Sequence, residues 1–191
     1  SREALAKYIG VADKDDLVFV TNPSFAVNMV AKNFPLQPGD QILTTDIEYG
    51  ACDRTWEYYC AQKGAEYIKQ KISLPITSKE KFIEEFFAGI TPKTKAVFIS
   101  HITSATALKL PVHEICAMAK QKGLITFVDG AHGPAQTEVD LATLQADFYT
   151  GACHKWMMAP KGCSFLYAHK SVQPMCDPLV VSWGYKALKP S

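Results

Sequence analysis

The feature that most constrains this chain is an alternation. Short, continuously apolar runs recur between longer segments of helical periodicity. Leu17-Val18-Phe19-Val20-Thr21 reads as a buried strand. Asn22-Pro23-Ser24 then opens a helix through about Asn33, because Asn caps a helix well and Pro is tolerated at its first position. A turn at Pro38-Gly39-Asp40 leads to a strand at Gln41–Thr45, a helix over Ala51–Gln62 and a short strand at Glu66–Gln70. Ser78–Ala88 is helical, with Phe82, Ile83, Phe86 and Phe87 as its apolar side. Lys95–Ser100 is a strand, and Val112–Lys122 is a helix that Gly123 stops. Leu124–Asp129, Asp147–Thr150 and Gly162–Tyr167 are further strands. Apolar strands that alternate with helices predict an α/β fold, with a mostly parallel sheet covered by helices on both faces in three layers.

Composition sets the outer limits. At 191 residues the chain is one domain, or one and a part. Apolar residues at 48% and charged residues at 20% suffice for a real core. A formal charge of +1 gives no electrostatic case for nucleic acid or an acidic membrane as partner. No apolar run approaches the ~20 residues that span a bilayer. The six cysteines are scattered, which reads as buried thiols of a reducing, cytoplasmic compartment. The five histidines form no tight cluster with them, so no metal site is expected. Ser1–Leu5 is amphipathic and lacks an initiator Met, and it is expected to form a helix and not a leader peptide.

Ligands of such sheets collect at the carboxyl ends of the strands. Ser24, Ser104, Asp129 and Lys155 all fall just after predicted strand ends, so one crevice can hold them together. Lys155 sits in Gly151-Ala152-Cys153-His154-Lys155-Trp156, among Cys153, Trp156, Met157 and Met158. Apolar company favours the neutral amine, which can form a Schiff base. Asp129 ends a buried run and precedes Gly130-Ala131-His132. Its carboxylate can hold a pyridinium nitrogen protonated, or can serve as a helix cap or structural ion pair. Together the amine and the carboxylate are what pyridoxal phosphate (PLP) chemistry most needs from a protein. His154 can contact phosphate or substrate, or pack against backbone. The Ser24 hydroxyl and the Ser24 and Phe25 amides, at a helix start, suit an anion; a plain helix cap is the alternative. Tyr49 can stack on a planar ring or simply pack, and Ser104 can meet a phenolic oxygen or cap a loop.

Taken in order, these segments resemble class V of the PLP-dependent aminotransferases (fold type I), and most of all the isopenicillin N epimerase-like branch. The resemblance is carried by Asn22-Pro23-Ser24-Phe25-Ala26-Val27-Asn28, Pro38–Leu43, Asp46-Ile47-Glu48-Tyr49-Gly50-Ala51, His101–Ala107, Asp129-Gly130-Ala131-His132-Gly133-Pro134, Asp147–Gly151, His154-Lys155-Trp156 and Ala159–Gly162. It covers about residues 15 to 170. It implies that Lys155 is the Schiff-base lysine and shuttles the proton at the substrate Cα. Asp129 matches the partner of the pyridine nitrogen, and His132 and Ser104 match positions near the phenolic oxygen. Tyr49 matches a ring-stacking position; Ser24, Phe25 and His154 match phosphate-side positions. The chain departs from the pattern where Pro23 replaces Ala, Phe25 replaces Thr, and Ala152 stands where a desulfurase has Ser.

The resemblance also implies a longer protein, a C-terminal small domain that supplies the arginine for the substrate carboxylate, and a homodimer or a complementary partner chain. The chain is then expected to be a partial PLP-binding large domain over residues 1–191, and a fragment. The expected function is a PLP enzyme acting on an amino acid, with epimerase, transaminase and C–S or β-lyase outcomes all open. The alternatives are a cysteine desulfurase-like enzyme and a truncated, non-catalytic interaction module.

Overall fold

A computed structural model describes residues 1–186. Six helices and seven strands follow one another in chain order: α1 Arg2–Tyr8, β1 Leu17–Val20, α2 Pro23–Asn33, β2 Gln41–Thr45, α3 Gly50–Gln62, β3 Glu66–Gln70, α4 Lys79–Phe87, β4 Thr94–Ser100, α5 Val112–Gln121, β5 Ile125–Gly130, α6 Leu141–Leu144, β6 Phe148–Ala152 and β7 Ser164–Ala168. The strands form one sheet in the order β1-β7-β6-β5-β4-β2-β3. β3, β2, β4, β5 and β6 are mutually parallel, while β7 runs antiparallel to both β6 and β1.

Alternating side chains of the same strand feed two cores. In β4, Val97 and Ile99 pack under α1, α4, α5 and α6, whereas Ala96 and Phe98 pack under α2 and α3. This explains why the strands read as continuous apolar runs: neither face is wet. On the second face an aromatic row crosses four elements. Ring centroids are 5.9 Å apart for Trp56 and Phe98, 5.4 Å for Phe98 and Phe127, and 5.7 Å for Phe127 and Phe148.

One expectation is corrected. β1 is not buried throughout: Leu17 and Val20 are, but Val18 and Phe19 are exposed. Apolar composition alone does not tell a central strand from this one, which lies at the end of the sheet with a neighbour on one side only.

The strand order positions the site. The chain steps outward from β2 to β3, then crosses back to place β4 on the other side of β2. The carboxyl ends of β2 and β4 therefore flank a topological switch point, where α/β sheets open a crevice. Registers align the next residues: Ser100 pairs with Asp129, Asp129 with Thr150, and Gly130 with Gly151. Ala152 then pairs with Ser164, so β6 and β7 form a hairpin whose loop carries Lys155. Gly130 has a packing reason. A Cβ there would overlap the buried Tyr149 ring. None of the helices among the described residues is long and apolar enough to cross a membrane.

Candidate active site

A cavity of about 320 Å³ opens at this edge. Its walls come from the start of α2 (Asn22, Pro23, Ser24), from Tyr49 and Cys52, from the end of β4 (Ser100, Ile102, Ser104), from the end of β5 (Asp129, Ala131, His132) and from the β6–β7 loop (His154, Lys155). A roomier depression of about 540 Å³, lined in part by Asp13, Asp147 and Lys170, lies at the opposite edge, beside the start of β6. It lacks the convergent strand ends at which α/β sheets bind ligands.

Asp129 is the chemical centre of the cavity. It is 4% exposed. One carboxylate oxygen accepts from the Ala131 amide at 3.0 Å and the other from the Cys52 thiol at 3.5 Å. Among the described residues no cationic side chain forms an ion pair with it. Burial pushes its carboxyl above the ordinary range, with only partial relief from the Ala131 amide, the thiol and the nearby Lys155 and His132. A buried, under-solvated carboxylate demands a cation or a proton.

Lys155 reaches into the same space from the hairpin loop, with Nζ 3.1 Å from His132 Nε2. The Trp156 indole N–H donates to the other ring nitrogen, Nδ1, at 3.1 Å. Burial, then the neighbouring Lys155, lowers the His132 imidazole below its usual range. His154 is anchored: Nδ1 lies 3.1 Å from the Cys163 carbonyl and 3.2 Å from the Ser164 hydroxyl.

At α2 the helix end is partly spent. Pro23 has no amide, and the Phe25 amide donates to the Asn22 side chain at 2.8 Å. Phe25 is not part of the cavity wall, so its expected contact with an anion is replaced by a local cap. The Ser24 amide and hydroxyl are what this terminus offers. The other expected residues (Ser24, Tyr49, Ser104, Asp129, His132, His154 and Lys155) all line the one cavity.

Three residues beneath or within the wall escaped the sequence reading. Cys52 supports Asp129; burial and that carboxylate push its thiol far up, so it stays protonated. Glu48 accepts from the Thr45 hydroxyl at 2.7 Å, from the Ser100 amide at 3.0 Å and from the Ser100 hydroxyl. It thereby joins the ends of β2 and β4 under the switch point. Burial, with a contribution from negative Asp129, raises its carboxyl to about 7. Trp156 is the third. A carboxylate directly before Tyr49 was the only sequence signal for Glu48; Cys52 and Trp156 carried none beyond their position.

The sequence profile of the family described as aminotransferase class-V matches residues 1–186. The chain is 38% identical over 189 residues to an isopenicillin N epimerase of Amycolatopsis lactamdurans, covering 97% of this chain and 47% of that protein. It is 31% identical over 182 residues to a probable cysteine desulfurase of Vibrio cholerae, covering 93% and 44%. Among solved structures, a lysine-to-alanine mutant of C-DES with glycine covalently linked to its PLP cofactor superposes with a TM-score of 0.86 at 25% identity, covering 96% of this chain and 48% of that one. The chain spans about half the length of the curated relatives it matches.

Proposed function

The chain belongs to the aminotransferase class-V family, and from that premise we propose that it forms the cofactor-binding part of a pyridoxal 5′-phosphate enzyme acting on an amino acid. The observation that carries this reading is Asp129, a buried carboxylate with which no cationic side chain among the described residues forms an ion pair, in a cavity that also holds Lys155. The residues fit the cofactor. A protonated ring nitrogen would supply the missing positive charge, and leaving such a carboxylate unpaired costs several kcal/mol, on the order of 3–5.

When bound, PLP supplies a carbonyl that condenses with amines and a ring that draws electrons from the carbon beside the amine. Lys155 provides the attachment amine. The same Nζ would remove and return a proton at the substrate Cα. Asp129 would hold a proton on the ring nitrogen. Ser24 binds phosphate at the α2 terminus, aided by the helix dipole and by His154. Tyr49 would cover a ring face and keep water from it, while His132 and Ser104 would orient the phenolic oxygen.

Where the proton returns decides the outcome, and the residues in the cavity serve epimerisation, transamination and lyase chemistry alike. A desulfurase would also need a thiol nucleophile. Cys52 is the cysteine in the cavity wall, and its burial beside Asp129 disfavours the thiolate. Residues 1–191 are proposed as the PLP-binding part of a larger, cytoplasmic protein that works as a homodimer. The exposed Trp156, Met158 and Trp183 suit burial against such a partner, and the sedimentation of the intact protein tests this.

The test of the cofactor reading is direct. Purified protein mixed with PLP should develop a visible absorbance band, and borohydride should fix the cofactor to the peptide that contains Lys155. Lys155→Ala should abolish both. No band and no modified peptide in the wild-type protein would end the proposal.

A further inference from the structure

Trp156 and Lys155 are neighbours in sequence and grip the same imidazole from two sides. Trp156 Nε1 is 3.1 Å from His132 Nδ1, and Lys155 Nζ is 3.1 Å from His132 Nε2. An indole nitrogen can only donate, so Nδ1 must present its lone pair. A neutral imidazole carries one proton, which is then on Nε2. An Nε2–H can only donate, so the contact with Nζ is satisfied by an amine that still has its lone pair. An ammonium group would set N–H against N–H.

We propose that Trp156 is a positioning residue that fixes the tautomer of His132 and thereby favours the neutral, nucleophilic form of Lys155. The consequence for cofactor attachment rests on the role proposed above for Lys155; the tautomer does not.

The surroundings support the arrangement. Burial, the largest influence, lowers the His132 imidazole below its usual range, against the pull of Asp129. The hairpin loop holds both residues in place: the Met158 amide donates to the Lys155 carbonyl at 3.1 Å and the Ala159 amide to the Cys153 carbonyl at 3.0 Å. The titratable groups facing this pair are Asp129 from β5, Cys52 and Tyr49 at α3, and His154 within the loop. Of these Asp129 acts in the opposite sense, since a carboxylate favours a cationic lysine. A hydrogen-bonded device that biases the amine toward neutrality therefore has something to offset.

Nitrogen-15 NMR of histidine-labelled, cofactor-free protein at neutral pH reads the tautomer. The wild type should show His132 protonated on Nε2, and Trp156→Phe should shift it toward Nδ1. A wild-type Nδ1–H ring, or an unchanged ring in the variant, overturns the proposal. The second measurement is the rate at which added PLP becomes attached to Lys155, trapped by borohydride across a pH series. Losing one hydrogen bond's worth of bias should slow Trp156→Phe about fivefold at neutral pH, with the profile displaced to alkaline pH and the rates converging there. The displacement should vanish when His132→Gln is already present. Uniform slowing without displacement, or an equal displacement in the His132→Gln background, overturns the role through His132. If the wild type attaches no PLP at Lys155, the cofactor reading fails, and the NMR result alone judges the tautomer.

Discussion

Two aspartates at opposite edges of the same sheet show how differently the fold treats its charges. Asp147 precedes β6 at the amino edge. It accepts from the Thr126 amide at 2.8 Å and the Thr126 hydroxyl at 3.0 Å, and its own amide donates back to that hydroxyl at 2.9 Å. Asp129, at the carboxyl end of β5, has one amide and one weak thiol donor. The first is a closed structural joint between β5 and β6. The second is a buried, under-satisfied carboxylate. Satisfaction, not residue type, separates structure from site.

Three experiments can break or sharpen that contrast, beyond those on Lys155 and Trp156. The largest effect is expected at Asp129. If it pairs with a ring cation, Asp129→Asn should weaken PLP binding by about 100-fold or more, corresponding to roughly 3–5 kcal/mol for a buried pair that loses one charge. Equal cofactor affinity, measured by spectroscopic titration, would place the cation elsewhere.

The next concerns Glu48, which shares the floor with Asp129. Its carboxyl rises from 4.5 to about 7 in the folded protein. The native state thus holds a proton that the unfolded state releases between those values, so stability should fall as pH rises from about 4.5 to 7. The loss is on the order of 3 kcal/mol. Glu48→Gln, followed by urea denaturation of cofactor-free protein across this range, should flatten the curve; an unchanged slope would assign it to other groups.

The smallest effect tests the comparison itself. Without cofactor, Asp147→Asn should destabilise the fold by about 1–2 kcal/mol, because it disturbs satisfied hydrogen bonds. Asp129→Asn should be neutral or stabilising, because it removes an uncompensated buried charge. Thermal unfolding of the two variants side by side decides. If Asp129→Asn is the more harmful, the charge was already paired in the apo protein.

Much of this architecture was legible from local pattern. Apolar runs such as Lys95–Ser100 marked strands because two covered faces leave no polar alternation, and Asn22-Pro23 marked the start of α2 through its cap chemistry. Lys155 and Asp129 stood out because motif and predicted strand ends coincided. The less legible part is non-local. Cys52 meets Asp129 across 77 residues, and Glu48 meets Ser100 across 52. Neither spacing has a periodicity to read. The Phe25 amide shows the opposite failure: a local competitor, the Asn22 side chain, takes a donor that the motif assigned to an anion.

Residue order therefore settled the kinds of element, their alternation and which polar groups lie at their ends, since these follow from short-range sterics, capping and hydrophobic periodicity. The crossing that sets β4 beside β2, the under-satisfied state of Asp129 and the clamp of Trp156 on His132 arose only when the chain closed on itself. Each depends on which distant groups share a few ångströms, and at that range hydrogen bonding and desolvation determine what a side chain can do.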